Sequence, residues 1–147
     1  MINGNRLEPI QVLLVEDSPE DADLAIEAFN EGESRKQVHL VEDGLKAMAF
    51  LLKKGDYQNV PRPDLIILDL NLPKKNGLEV LEEIKNNPDI KLIPVVIFTT
   101  SSAYEDVYQS YSKQANCFMS KPSNLKEFVA AIKLLEDFWF SIVKLPS

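Results

Sequence analysis

Residues 65–68 read Leu-Ile-Ile-Leu, and the run breaks at the carboxylate of Asp69. Four consecutive apolar side chains bounded by charge suit a strand covered on both faces, in a sheet with helices packed above and below it. In such an open α/β sheet, ligands bind beyond the carboxyl ends of the strands, because those ends deliver their last side chains into a crevice between loops. Asp69 stands at that place. A lone Asp after a strand most often opens a turn, so its meaning depends on what the other strands bring to the same edge.

The pattern recurs along the chain. Residues 12–15 form an apolar run of strand length that ends in Glu16 and Asp17. Ser18-Pro19-Glu20-Asp21 then opens a helix, with Ser18 as N-cap, Pro19 at the first helical position and acids in the first turn. Ala22, Ala25, Ile26 and Phe29 supply its buried face, and Gly32 its stop. Residues 38–41 predict a short second strand carrying the lone His39, read as structural. Glu42-Asp43-Gly44 then reads as a turn, followed by a helix over 45–54 with Ala47, Met48, Leu51 and Leu52 inward. A proline-rich, polar loop over 55–63 leads into the Leu65 strand. Asn76-Gly77 is a turn signal before a helix carrying Leu78, Leu81 and Ile84, which ends before Pro88. Residues 95–98 form a fourth strand that runs into Thr99, Thr100, Ser101 and Ser102. A more polar helix over 104–113 and a weak fifth strand over 116–120 follow, ending at Lys121-Pro122. Asn124 caps the last helix, with Glu127 at the capping-box position. Strands and helices alternate five times, which predicts a parallel sheet with helices on both faces and right-handed crossovers.

At 147 residues the chain is one domain, with residues 1–10 as a lead-in and 11–147 as the folded unit. A formal charge of −7 argues against a nucleic-acid surface, which needs clustered Lys and Arg. The N-terminus lacks a signal-peptide pattern, and no apolar run approaches the ~20 residues of a membrane span. The lone Cys117 has no metal-ligand spacing around it and reads as a buried thiol in a reducing compartment. Together these give a cytoplasmic protein that engages neither membrane nor nucleic acid.

The strand ends then present Glu16 and Asp17, Asp69, Thr99 and Lys121 on one edge. Three converging carboxylates would repel one another and raise their pKa values unless a cation joined them. Oxygen-only ligands favour a hard divalent ion, and Mg²⁺ in particular takes one or two carboxylates together with phosphate oxygens. A carboxylate held beside Mg²⁺ can act as nucleophile toward a phosphoryl group and become an aspartyl phosphate. That transfer depends mainly on positioning and on neutralising charge, so a metal, a lysine and a hydroxyl donor suffice. A merely solvated acidic patch would leave Thr99 and Lys121 unexplained.

Four motifs in order, Val-Glu-Asp-Ser at 15–18, Leu-Asp-Leu-Asn-Leu-Pro at 68–73 with Gly77, Phe-Thr-Thr-Ser at 98–101 and Lys-Pro at 121–122, give the chain its resemblance. It resembles the receiver domains of bacterial two-component response regulators from about Gln11 to the last helix. The resemblance implies a flavodoxin-like (βα)5 doubly wound parallel sheet of strand order 2-1-3-4-5 with an extended C-terminal helix. It implies a phosphorelay protein that accepts a phosphoryl group from a sensor histidine kinase on Asp69 and catalyses only its own phosphorylation and dephosphorylation. Asp17 would ligate Mg²⁺ directly, Glu16 through bound water, Asp69 through its carboxylate and Asn71 through its backbone carbonyl. Lys121 would pair with the phosphoryl group, and its bond to Pro122 would be cis. Thr99 would be the switch hydroxyl and Phe118 the switch aromatic, at a place where many receivers carry Tyr. Asn71 and Ser101 would tune phosphoryl lifetime. Thr100 departs from the commoner Ala or Gly, narrowing access to the site. The long loop from Lys53 to Pro63, Leu-Pro-Lys-Lys-Asn-Gly, the double Thr, Ala-Asn-Cys at 115–117 and the Phe-Trp-Phe tail are similar to single-domain regulators paired with phytochrome-type histidine kinases. That narrower resemblance suggests a light-sensing kinase as phosphodonor.

The last helix carries Leu125, Phe128, Ile132, Leu135, Trp139 and Ile142 at helical spacing, a core stripe at least in its first half. If it continues to Val143 it is ~28 Å long, whereas a five-residue strand spans about 17 Å. Phe138, Trp139, Phe140, Ile142 and Val143 would then overhang the sheet and form a homodimer contact. With no second domain after Ser147, output would run through protein contacts, the hydroxyl-rich stretch from Ser101 to Tyr111 being a candidate surface.

Three other readings compete. A haloacid-dehalogenase-type phosphatase also uses an aspartyl nucleophile but wants a second Asp two residues later, where this chain has Asn71. A nucleotide or flavin module lacks its glycine-rich loop here, and Glu16 and Asp17 would repel phosphate. A non-phosphorylated pseudo-receiver scaffold typically loses the acceptor or metal acids, and none is missing.

Overall fold

The computed structural model describes residues 8–142, with side chains described to residue 140. Five parallel strands, β1 (Ile10–Val15), β2 (Lys36–Val41), β3 (Leu65–Leu68), β4 (Val95–Thr99) and β5 (Cys117–Ser120), lie in the order 2-1-3-4-5. They alternate with α1 (Pro19–Asn30), α2 (Gly44–Leu51), α3 (Gly77–Lys85), α4 (Tyr104–Ser112) and α5 (Leu125–Glu136). This is the flavodoxin-like doubly wound arrangement that the alternation and the resemblance led us to expect.

The two-residue period of the strands divides the core in two. Leu13, Val15, Ile66, Leu68, Val95 and Ile97 face α2 and α3, packing on Ala47, Met48, Val80, Leu81 and Ile84. Their alternates Val12, Leu14, Leu65, Ile67, Val96 and Phe98 face α1 and α5, packing on Ala25, Phe29, Phe128 and Ile132. All four residues of β3 are buried, and each fully buried aliphatic side chain contributes about 1.5–3 kcal/mol.

Local chemistry sets the helix boundaries. Ser18, Asn76 and Asn124 cap α1, α3 and α5 by accepting the N–H of Asp21, Glu79 and Glu127. Asn76 and Glu79 complete a reciprocal capping box. Asp43, read as part of a turn, is the N-cap of α2 and accepts the Lys46 N–H at 2.7 Å. The helix expected over 45–54 stops at Leu51, because Lys53 takes a left-handed φ of 55° and ends the ladder. His39 is half-buried against the Phe50 ring, its Nε2 2.7 Å from Gln11 Oε1, in keeping with a structural role. Cys117 is half-buried, and burial pushes its thiol up, away from reactivity.

The tail differs from expectation. After Glu136 the chain enters a π-helical turn, Asp137–Ile142. Instead of overhanging the sheet, Trp139 and Phe140 are 8% and 1% exposed within the α1 and α5 core, and Phe140 stacks on Phe29 at 6.1 Å. A π turn takes more residues per revolution than an α turn, so it carries these rings back onto α1. Phe138 alone of the three is exposed. Val143 and the side chain of Ile142 lie outside the described residues, as do residues 1–7 of the lead-in.

Candidate functional site

The strand register brings the site together. Val15 pairs with Leu68, and Leu68 with Ile97. Glu16 and Asp69 therefore leave adjacent strands side by side, with Thr99 one step further along β4. Thr99 pairs with Ser120, which sets Lys121 beside it. Backbone bonds lock these ends: Glu16 N–H donates to Val41 (3.0 Å), Asp69 N–H to Val15 (3.1 Å) and Lys121 N–H to Thr99 (2.7 Å). Behind Asp69 the chain folds back through Gly77, whose N–H reaches the Leu70 carbonyl at 3.0 Å. A Cβ on Gly77 would lie 2.3 Å from the Asp69 carbonyl oxygen, so only glycine allows that return.

Lys121 occupies the centre. Its Nζ lies 2.6 Å from Glu16 Oε1, 2.8 Å from Asp69 Oδ2 and 2.9 Å from Asp21 Oδ2, with its side chain 3% exposed. Three ammonium protons meet three carboxylates. The remaining oxygens of the inner pair are also held: Glu16 Oε2 accepts the Ser18 N–H at 3.0 Å, and Asp69 Oδ1 accepts the Asn71 N–H at 3.1 Å. Burial by itself would lower the Lys121 ammonium, but its hydrogen bonds to Asp69, Glu16 and Asp21 overcome this and hold it above the ordinary lysine range. Burial also raises the Glu16 carboxyl, against the opposing pull of Lys121 and the Ser18 N–H. Thr99 is fully buried, and its Oγ1 has no hydrogen-bond partner. A buried hydroxyl without a partner costs about 1–3 kcal/mol.

The other sequence-derived residues take graded positions. Asp17 and Asn71 are exposed at the mouth, as is Thr100. Ser101 donates its hydroxyl to the Asp106 carboxylate in the first turn of α4. Phe118 is half-buried against the α2 and α3 core, and its N–H donates to Tyr111 Oη at 3.2 Å. The expected cis bond between Lys121 and Pro122 is absent, since every described peptide bond is trans. Trans is the preferred isomer by about 0.5–1 kcal/mol, and from it Lys121 reaches all three carboxylates. The residue sequence reasoning missed is Asp21. It reads as an ordinary first-turn acid, and the available signal was its place in the helix that leaves the acid-tipped end of β1.

The donor set is hard oxygen throughout, which suits Mg²⁺ or a like divalent ion. As they stand, however, no three His, Cys, Asp or Glu side chains among the described residues are placed to hold a metal ion together. Lys121 is the cation that gathers Glu16 and Asp69. The pocket thus fits a cation in chemistry, provided that the ammonium yields those two oxygens.

Residues 12–133 match the response regulator receiver domain family. The chain is 49% identical over 139 residues to the response regulator Rcp1 of Synechocystis sp., covering 95% of each. Its fold superposes with a TM-score of 0.93 on the phosphorylated cyanobacterial phytochrome response regulator RcpA, at 45% identity over 95% of this chain and 100% of that one. The Mn²⁺-bound form of Rcp1 gives a TM-score of 0.92 at 49% identity, with the same coverage.

Proposed function

The chain belongs to the response regulator receiver domain family and is a response regulator of phosphorelay signalling, and from that premise we propose that Asp69 is the residue that takes the phosphoryl group. The observation that carries this reading is the Lys121 ammonium held among Glu16, Asp21 and Asp69, beside the unpartnered Thr99 hydroxyl, at the carboxyl edge of the sheet. An Asp69 oxygen attacks the phosphorus of a phosphohistidine on a sensor kinase. The P–O bond forms as the N–P bond breaks, and the imidazole leaves with the electron pair and takes up a proton. Lys121 pairs with the phosphoryl oxygens, and Thr99 donates its hydroxyl to one of them, drawing the Phe118 region after it. Asn71 and Ser101 flank the path of an attacking water and set how long the acyl phosphate lasts.

Asp17, Asp69 and the Asn71 carbonyl would hold Mg²⁺ directly, and Glu16 through water. When bound, the ion neutralises charge on the phosphoryl oxygens. The manganese-bound form of Rcp1 supports a divalent ion in proteins of this kind. The description of RcpA as a phytochrome response regulator supports a phytochrome-type histidine kinase as donor here. Beyond its own phosphorylation and dephosphorylation the chain performs no catalysis, and it works in the cytoplasm. No described helix is long and apolar enough to cross a membrane.

Among the described residues of the homodimer reading through 138–143, Phe138 is the exposed ring. It lines an apolar groove of about 280 Å³ with Cys117, Met119, Leu134, Leu135 and Trp139, whereas Phe140 is spent in the core. Sedimentation of Phe138→Glu should give a monomer where the parent is dimeric; equal masses would remove the idea.

Intact-mass analysis after incubation with acetyl phosphate and Mg²⁺ tests the assignment of Asp69. The parent chain should gain one phosphoryl group and Asp69→Asn none; a gain that persists in Asp69→Asn would refute it.

A further inference from the structure

We infer that Asp21 is a positioning residue, anchoring the Lys121 ammonium in the site while Glu16 and Asp69 are engaged in phosphoryl transfer. The inference rests on the reading of Asp69 as phosphoacceptor and adds a residue to that machinery. Of the three carboxylates on Lys121, two belong to the strand ends that would meet the metal and the phosphoryl group. Asp21 does not. It comes from the first turn of α1, and its side chain is 29% exposed against 4% for Glu16 and 7% for Asp69.

Its placement is fixed through Ser18. The Ser18 hydroxyl accepts the Asp21 N–H at 3.3 Å, while the Ser18 N–H donates to Glu16 Oε2 at 3.0 Å. One capping residue therefore sets the helix start and ties it to the end of β1. A carboxylate in the first helical turn is also favoured in its charged form by the helix dipole.

The need for such an anchor follows from charge. When Glu16 and Asp69 turn toward a divalent ion, Lys121 loses two of its three acceptors and faces a like charge. Lysine carries its ammonium on a flexible four-carbon stem, so an unanchored group would swing away from the reacting centre. With Asp21 holding one proton at 2.9 Å, two protons remain for phosphoryl oxygens without the ammonium leaving the pocket.

The test compares the parent chain with Asp21→Ala, Asp21→Asn and Asp21→Glu, alone and with Lys121→Gln. Asp21→Asn keeps the shape of the side chain and guards against a folding defect. At saturating Mg²⁺, the rate constant for labelling by acetyl phosphate should fall about tenfold in Asp21→Ala. The half-saturating Mg²⁺ concentration should stay within about twofold, and Asp21→Glu should restore part of the rate. On the Lys121→Gln background, Asp21→Ala should cost nothing further, because it acts through that lysine. A metal-free readout is the ¹⁵N resonance of the Lys121 ammonium in EDTA, which should shift in Asp21→Ala as one of its three hydrogen bonds is lost while Glu16 and Asp69 keep it protected. A parent-like labelling rate in Asp21→Ala, or an equal loss on both backgrounds, overturns the role of Asp21 while leaving Asp69 in place. Failure of the parent to label at all overturns the assignment of Asp69 and this role with it.

Discussion

The buried side chains of Lys36 and Lys121 lie at opposite ends of the sheet, and their surroundings differ in the charge they gather. Lys36, the first residue of β2, donates to Glu136 Oε2 at 3.0 Å and to the Ser34 carbonyl at 2.7 Å, with side chains 4% and 5% exposed for the ion pair. One ammonium meets one carboxylate. Lys121, just beyond the last residue of β5, meets three, and the exposed Asp17 stands near them in sequence. The first site ties α5 to the start of β2, and the other oxygen of its carboxylate, Glu136 Oε1, is itself buried without a hydrogen-bond partner. The second carries an excess of negative charge that folding alone would not select, together with a buried Thr99 hydroxyl that no protein group satisfies. The two sites therefore differ in charge, one carboxylate to one ammonium against three to one.

Replacing each lysine should break the comparison open. Lys36→Met leaves Glu136 buried without its cation and should cost about 3–5 kcal/mol in urea unfolding, with Mg²⁺ giving no relief. Adding Glu136→Met should recover most of that loss. Lys121→Gln should cost about 2–3 kcal/mol in EDTA, and there Mg²⁺ should restore most of it, since a second cation can take over the freed carboxylates. Equal responses of the two variants to Mg²⁺ would erase the distinction.

Thr99→Val comes next in size. It removes a buried hydroxyl without a partner in an isosteric swap, so the unphosphorylated protein should gain about 1 kcal/mol, read by urea unfolding. The phosphorylated form should then lose its distinct amide shifts around Phe118.

The smallest effect is the pH dependence of Glu16. Burial raises its carboxyl in the folded state, so its favourable contribution is complete below the ordinary glutamate value and is lost as pH rises through the folded value. In EDTA, Glu16→Gln should therefore flatten the fall of stability with rising pH just above that ordinary value, by a few tenths to about 1 kcal/mol. An unchanged slope would show that the crowding of charge is not felt by Glu16.

Most of what positions the site could be read from the chain. The apolar runs before Glu16, Asp69 and Thr99 mark buried strands, and a parallel sheet must bring their ends to one edge. Ser18, Asn76 and Asn124 announce their helices because capping is local chemistry. What escaped depended mostly on partners distant in sequence. Asp21 looks like any first-turn acid until Lys121, 100 residues later, reaches it. Trp139 and Phe140 fit an overhanging amphipathic helix equally well until the π turn and the Phe29 ring decide their direction. Asp43 was hidden in an Asp-Gly pair, which signals a turn as readily as a cap.

The central claim is that the carboxylates around Lys121 are assembled for a divalent ion that frees Asp69 to react. Urea unfolding of the metal-free chain titrated with Mg²⁺ tests it most directly. The stability of the parent should rise with Mg²⁺ along the curve for a single site bound only by the folded state, and Glu16→Gln combined with Asp17→Asn should abolish the rise. A parent stability that does not respond to Mg²⁺, or responds equally in the double variant, would contradict the claim.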